Sequence, residues 1–350
     1  MEYRQLGRTG IPVSALGLGV MTFGGQTPEH DGFRQLDMAL DAGVTLFDTA
    51  ENYPTPTGPE TQGASEQVLG RWVAARGVRN KVVIASKVAG PGNAAGDMRH
   101  IRGDGRKLDP ANIRQAVEYS LRRLGTDHID LYQVHWAERP ITTLGRVRYS
   151  LVPEPEGAVP IEETLAALSE LVVEGKVRAV GLCNESPWGV MRYLAAAERG
   201  GLARVASIQN GYSLLDRSFE LGLAEVAVRE HCGLIAYSPL AGGTLTGKYG
   251  AAPAPIPGSR SSQSAGFLAR FTAGKQAAIQ AYADLARQAG LEPAHMALAF
   301  ARQQPFTTAV LMAGSSAGQL ATNLGAIDLT LPKDLVQAIN AIHDANPNPR

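Results

Sequence analysis

Residues 129–136 read IDLYQVHW, a short β-rich run that ends on a histidine and opens into a long connection. Its length suits a strand rather than a helix. Working outward, comparable runs recur, each followed by a segment of helical periodicity, which is the pattern of repeated β/α units. The strands expected are Ala15–Gly19, Thr45–Asp48, Val82–Lys87, Ile129–His135, Val177–Cys183, Ser207–Asn210, Leu234–Tyr237 and Ala309–Met312. Between them the spacing predicts helices over Pro28–Ala42, Ser65–Ala75, Pro110–Leu124, Ile161–Glu174, Pro187–Arg199, Ser218–Glu230 and Lys275–Ala289, with a short one after Gly314. Thr27, Asp109 and Ser186 each precede a proline, as N-caps before a first turn whose φ is pre-set. Eight parallel strands with helical crossovers predict a closed (β/α)8 TIM barrel preceded by an N-terminal β-hairpin, against the alternative of a doubly wound open sheet. LGLGVMTFGG, residues 16–25, is glycine-rich but wrongly spaced for a dinucleotide fingerprint, which removes the chief support for the open sheet.

The chain of 350 residues is long enough for two domains or one sizeable barrel. No Gly/Ser or Pro linker divides it, so residues 1–350 are expected to form one domain. Lys plus Arg and Asp plus Glu number 33 each, which excludes bulk attraction to nucleic acid or an anionic membrane. Cys183 and Cys232 sit in apolar runs and read as buried thiols of a reducing compartment. The N-terminus, MEYRQLGRTG, has no apolar signal core, and no run approaches the ~20 apolar residues of a membrane span. A cytoplasmic location is expected.

The polar residues that interrupt these strands fall at their C-terminal ends: Asp48, Lys87, His135, Asn184, Gln209 and Tyr237. Four long connections, 51–64, 88–108, 136–160 and 249–274, follow such ends, on the face where barrel active sites are built. A charge buried alone there is costly, but together these groups compensate one another. Asp48 can hold Lys87 as an ion pair. The Lys87 ammonium is expected to lower the pKa of the Tyr53 phenol from its reference of ~10, making Tyr53 a general acid toward a carbonyl oxygen that His135 orients by hydrogen bonding. Trp136 reads as an aromatic wall for a substrate, with core packing as the bland alternative. Arg139, Arg146 and Arg148 either attract an anionic carbonyl or solvate their loop. His30, His100, His128, His231, His295 and His343 lack companions at ligand spacing, so no metal site is expected.

FDTAENY (Phe47–Tyr53), IASK (Ile84–Lys87) and DLYQVHW (Asp130–Trp136), in this order, resemble the Asp, Tyr, Lys and His signatures of the aldo-keto reductases. The likeness runs from LGLG at Leu16 to Asn323. Within the family it is to the bacterial Tas-like reductases, through PETQG after Tyr53, ASKV, LYQVHW and GTLTGKY; that branch is similar to potassium-channel β subunits in its cofactor loops. The resemblance implies an NADPH-dependent reductase of small carbonyl compounds. It also leaves an alternative, an NADP(H)-bound redox sensor with slow turnover. The channel subunits have Asn where this chain keeps His135, which favours catalysis.

For the cofactor, Tyr237 can stack on the nicotinamide and the following glycine-rich turn lets backbone approach a pyrophosphate, with Lys248 adding charge. By resemblance, Asn184 and Gln209 hold the carboxamide, Ser238, Pro239, Leu240 and Gly242 form the pyrophosphate loop, and Met21 and Gly314 also line the cofactor site. Arg260 matches the family arginine near the 2′-phosphate or adenine, although Ser259–Ser264 also reads as a mobile surface loop. Gln319 and Asn323 match the adenine pair. The chain departs from the pattern twice: Cys183 stands where Ser is usual, and the MAGSSAGQ loop (residues 312–319) carries its glycine one place late, so the donor there is Ser315 or Ser316. A guanidinium pairs well with a 2′-phosphate, which favours NADPH over NADH.

Overall fold

The protein is seen in a computed structural model that describes residues 1–91, 98–103, 106–141, 149, 152–250, 254–263 and 266–349. An antiparallel hairpin comes first, β1 (Tyr3–Gln5) with β2 (Pro12–Ser14). The eight expected strands follow: β3 (Leu16–Gly19), β4 (Leu46–Asp48), β5 (Val83–Val88), β6 (Ile129–Val134), β7 (Val177–Cys183), β8 (Val205–Gly211), β9 (Leu234–Tyr237) and β10 (Thr307–Met312). All are parallel and each pairs with its sequence neighbour; β10 pairs back on β3, which closes the barrel.

Period-two alternation sorts the strand residues into two layers. Leu46, Val83, Ala85, Leu131, Ala179, Ile235, Ala309 and Leu311 form a cluster inside the barrel, joined by Leu6, Ile11 and Val13 of the hairpin segment. The residues of opposite parity, such as Phe47, Ile84, Tyr132, Val180 and Val310, pack outward against the helices. Continuing the inward parity toward the C-terminal ends reaches Asp48, Lys87, Gln133, His135, Cys183 and Tyr237. The same alternation that fills the lower barrel with apolar side chains therefore aims the polar ones into its upper mouth.

The helices are α1 (Glu29–Asp41), α2 (Ala64–Arg76), α3 (Pro110–Leu124), α4 (Ile161–Val173), α5 (Pro187–Gly200), α6 (Leu223–Glu230), the short α7 (Arg260–Gln263), α8 (Ala273–Gln288), α9 (Pro293–Arg302), α10 (Ala317–Leu324) and α11 (Lys333–Ala345). Asp109 and Ser186 cap α3 and α5 as expected, accepting from Asn112 N and Gly189 N. Thr27 does not cap α1: its hydroxyl bonds Thr22 Oγ1 at 2.9 Å, and Pro28 occupies the cap position. The helix expected over Ser218–Glu230 is divided into a 3-10 turn (Ser218–Leu221) and α6, with Gly222 between them against Pro187. Three helices were not read from the sequence, the four-residue α7 among them. α9 is buried along almost its whole length and so lacks an amphipathic stripe, and α11 lies beyond the last recognised motif.

Candidate active site

Asp48 and Lys87 meet across adjacent strands. Lys87 is fully buried and its Nζ donates to Asp48 Oδ2 at 2.6 Å and to Thr49 O at 2.8 Å. Burial, the largest single influence, pushes its pKa down, yet the Asp48 carboxylate together with Tyr53 and Cys183 more than offsets this and holds the ammonium above its ordinary range. The other Asp48 oxygen accepts from Gln209 Nε2 at 2.7 Å and Gln133 Nε2 at 3.4 Å, and Gln209 Nε2 also contacts Gln133 Oε1 at 3.3 Å. Gln133 escaped the sequence reading. Its signal was available, since it shares inward parity with His135 two residues later. Gly181 on the neighbouring strand leaves it room: a Cβ there would lie 3.0 Å from Gln133 Cγ.

Tyr53 is half-buried, with Lys87 Nζ 4.9 Å from its ring centroid. Its ring meets that of His135 edge-on, 5.7 Å between centroids at 81°. The loop that carries it is pinned at several points: Tyr53 N to Ala50 O, Gly63 N to Tyr53 O, and Thr55 N to Met21 O. Here one expectation is corrected. Burial pushes the phenol up to about 12, and the attraction of Lys87 only partly opposes that rise, so Tyr53 stays protonated at neutral pH.

His135 is 4% exposed and stacks on Trp136, ring centroids 3.7 Å apart and 10° from parallel. Burial, aided by the Lys87 charge, drives its pKa well below 6.5, so the ring is neutral. Among the described residues its Nδ1 has no hydrogen-bond partner. Trp136 is itself 9% exposed and packs with Ala89, Met98 and Ile101. It supports His135 at least as much as it offers a face to the mouth.

Asn184, in a left-handed conformation at φ 54°, donates to His135 O at 3.0 Å and accepts from Tyr237 OH at 2.7 Å. Cys183 Sγ lies 3.3 Å from Asn184 Nδ2 and 3.6 Å from Gln209 Oε1, and burial raises this thiol to about 12. The Tyr237 ring has Gly211 beside it, where a Cβ would come within 3.3 Å of the ring. The segment after Tyr237 winds through positive φ at Ser238, Ala241, Gly242 and Gly243. A Cβ on Gly243 would lie 2.9 Å from Lys248 Nζ, and one on Gly242 would lie 3.1 Å from Phe267 and 3.9 Å from Arg260 Cδ. Tyr249, Phe267 and Phe271 form an aromatic cluster under this turn. Ser259 and Ser261 are buried and bonded to each other on either side of the exposed Arg260, while Ser264 lies outside the described residues.

At the end of β10, Ser316 caps α10 by accepting from Gln319 N. Ser315 instead donates from both its backbone N and its hydroxyl to Gln319 Oε1, at 3.0 Å each. Asn323 is buried and holds Ala313 O at 3.0 Å. A Cβ on Gly314 would strike Leu320 N and Ser316 O at 2.9 Å, so the late glycine is what lets this turn fold. Arg139 is engaged with Glu185 at 2.5 Å and lies over Trp188 at 4.8 Å, which answers its charge locally; Arg146 and Arg148 lie outside the described residues. Among the described residues no group of three or more His, Cys, Asp or Glu is placed to hold a metal ion, and no helix is long and apolar enough to cross a membrane.

With this arrangement in view, residues 15–344 match the Aldo/keto reductase family. The chain is 47% identical over 345 residues to "Protein tas" of Escherichia coli (strain K12), an alignment covering 98% of each. It is 34% identical over 343 residues to "Uncharacterized oxidoreductase YrpG" of Bacillus subtilis (strain 168), covering 98% of this chain and 96% of that protein. It is also 34% identical over 282 residues to an "Aldo-keto reductase" of Babesia bovis, covering 75% of this chain and 96% of the other.

Proposed function

The chain belongs to the aldo/keto reductase family and is an oxidoreductase, and from that premise we propose that it reduces small aldehydes and ketones to alcohols with NADPH, using Tyr53 as the proton donor. The observation that carries this reading is the convergence of Tyr53, the Lys87–Asp48 pair and neutral His135 at one end of the barrel. Residues 1–350 are read as a single domain, since Leu335 and Ile339 of α11 belong to the same core as the barrel.

The residues around the mouth fit a nicotinamide dinucleotide. The Tyr237 face, the left-handed turn from Ser238 to Gly243 and the basic pair Lys248 and Arg260 supply a ring platform, a backbone cradle and countercharge. Asn184 and Gln209 have their amide nitrogens committed to His135 O and Asp48; their carbonyl oxygens already accept from Tyr237 OH and the Cys183 thiol, and each keeps a second lone pair to accept from a carboxamide. Gly314, Ser316, Gln319 and Asn323 would flank the adenine end, and Met21 the opening of the site. When bound, NADPH supplies the hydride. Tyr53 donates its phenolic proton to the carbonyl oxygen as that oxygen gains charge. With its pKa near 12 the phenol is a reluctant acid toward water but a ready one toward an alkoxide. Lys87 then faces the phenolate, and Asp48 keeps Lys87 charged and in place. Neutral His135 donates a hydrogen bond that orients the carbonyl, and a proton from solvent restores Tyr53.

A panel of aldehydes and ketones assayed with NADPH and with NADH tests reaction class and cofactor together. Tyr53→Phe is expected to lower turnover by about 10²-fold or more, the usual worth of a general acid, while NADPH still quenches intrinsic fluorescence. Undiminished turnover in that variant would sink the assignment of Tyr53.

A further inference from the structure

Glu51 stands two residues before Tyr53 and is 1% exposed. One carboxylate oxygen accepts the Ala89 N–H at 2.5 Å and the other is paired with Arg102 Nη1. Arg102 in turn donates from Nη2 to Ala89 O at 2.9 Å and from Nε to Asn112 Oδ1 at 3.1 Å. Between them the two side chains capture both backbone groups of Ala89, which lies two residues beyond Lys87. The Glu51 backbone closes the same junction: its N–H goes to Lys87 O at 3.2 Å, and its carbonyl accepts from Gln62 Nε2 at 2.7 Å.

Arg102 reaches this position with φ at 55°, a conformation sparsely populated by residues that carry a Cβ. Around it, Met98 and Ile101 pack on Ala89 and Trp136, and His100 Nε2 lies 3.3 Å from Thr57 Oγ1. The loop bearing Tyr53, the segment following Lys87 and residues 98–103 therefore meet at one buried charge pair, with Trp136 packed beside it through Ala89, Met98 and Ile101. An apolar pair of similar volume serves stability as well as a buried ion pair does. What the ion pair adds is direction, through hydrogen bonds that fix three backbones relative to one another.

We propose that Glu51 and Arg102 form a positioning latch that holds the Tyr53 loop against the end of the Lys87 strand and seats residues 98–103 beside Trp136. The proposal rests on the reductase reading for its kinetic consequence, but its structural consequence can be read without turnover. Glu51→Gln and Arg102→Met each strand a buried partner and are expected to lower the melting temperature. The double variant Glu51→Gln/Arg102→Met leaves no buried charge unpaired and is expected to recover part of that loss, the donors Arg102 gave to Ala89 O and Asn112 Oδ1 staying lost. In the double variant, kcat for carbonyl reduction should nonetheless fall at least about 10-fold with NADPH affinity by fluorescence unchanged, the mark of lost orientation rather than lost binding. Hydrogen exchange should rise together in peptides spanning residues 51–63 and 98–103, with strand peptides unaffected. Arg102→Lys keeps the charge but cannot serve Glu51 and Ala89 at once; it should show the same pattern in milder form, which covers the case in which the double variant does not fold. Native kcat and native exchange at 51–63 in a stably folded double variant, or in Arg102→Lys, would overturn the latch. Should the unmodified protein reduce no carbonyl with NADPH, the reductase reading fails on that result alone. Exchange then decides the latch by itself: a coupled rise supports it, and unchanged or unlinked rates overturn it.

Discussion

His135 shows how much of a residue's chemistry is set by its depth. Unperturbed, its pKa would be near 6.5; burial, followed by the repulsion of Lys87, moves it well below that value. The ring therefore stays neutral in the folded protein over a range in which the unfolded chain takes up a proton. Above about pH 6.5 the two states bind the same number of protons at this site, and no stability depends on it. As pH falls below that value the unfolded chain gains the proton first, so folding stability declines, by at most about 1.4 kcal/mol per pH unit from this group. Glu51 acts in the opposite sense, because burial raises its pKa and favours the folded form on acidification. Urea unfolding of the native protein and of His135→Asn, followed from about pH 8 to about pH 5, separates the two. The variant should show a shallower loss of stability below about pH 6.5, and parallel curves would contradict a buried neutral imidazole.

At the scale of elements, what was legible in the sequence follows from where each signal is stored. Strands such as VVIASK and IDLYQVHW carry their signal locally, as apolar runs closed by a polar residue at the mouth. Asp48, Lys87 and His135 could thus be found before the fold was known. Glu51 and Arg102 could not be singled out, because they meet across 51 positions; Gln133 shares the inward parity of His135 and was passed over because its partner Asp48 lies 85 positions away. The Tyr53 pKa was misjudged for a related reason: the sequence displays the lysine but not the depth of burial that outweighs it. Helix α2 hides a similar constraint at Gly70. A glycine inside a helix costs about 1 kcal/mol relative to alanine, so on propensity alone Gly70→Ala should stabilise. Yet a Cβ there would lie 2.4 Å from Leu124 O and 2.6 Å from Leu124 C, at the end of α3. Backbone cannot yield as a flexible side chain does, and the two helices would have to part. Gly70→Ala is therefore expected to destabilise by about 1–3 kcal/mol, as overpacked contacts do. A urea midpoint at or above the native one would refute the close approach of α2 to α3.

Across the whole molecule, the two ends of the barrel are built from opposite kinds of residue, and this separates stability from chemistry. The C-terminal mouth gathers Asp48, Lys87, Gln133, His135, Asn184 and Gln209, all at least nine-tenths buried; all but the His135 ring, which stacks on Trp136, are held by side-chain hydrogen bonds. The N-terminal end is stoppered by the hairpin, whose neighbouring Leu6 and Ile11 and whose own Val13 join the inner apolar cluster. Gly7, at φ 57°, brings the hairpin turn so close to the barrel that a Cβ would lie 2.6 Å from Ala206 O. Leu6 has no exposed surface, so Leu6→Ala should leave a cavity and cost about 2–5 kcal/mol. Its backbone bonds to Ile11 and Thr9 lie at the end of the strands remote from Tyr53. The kcat and KM of Leu6→Ala, measured well below its melting temperature, should therefore match those of the native protein, while its urea midpoint falls sharply. A kcat that falls in step with stability would mean that the barrel bottom and the mouth are mechanically one, and that the layers between them transmit a loss of packing at one end to the geometry of Lys87 and Asp48 at the other.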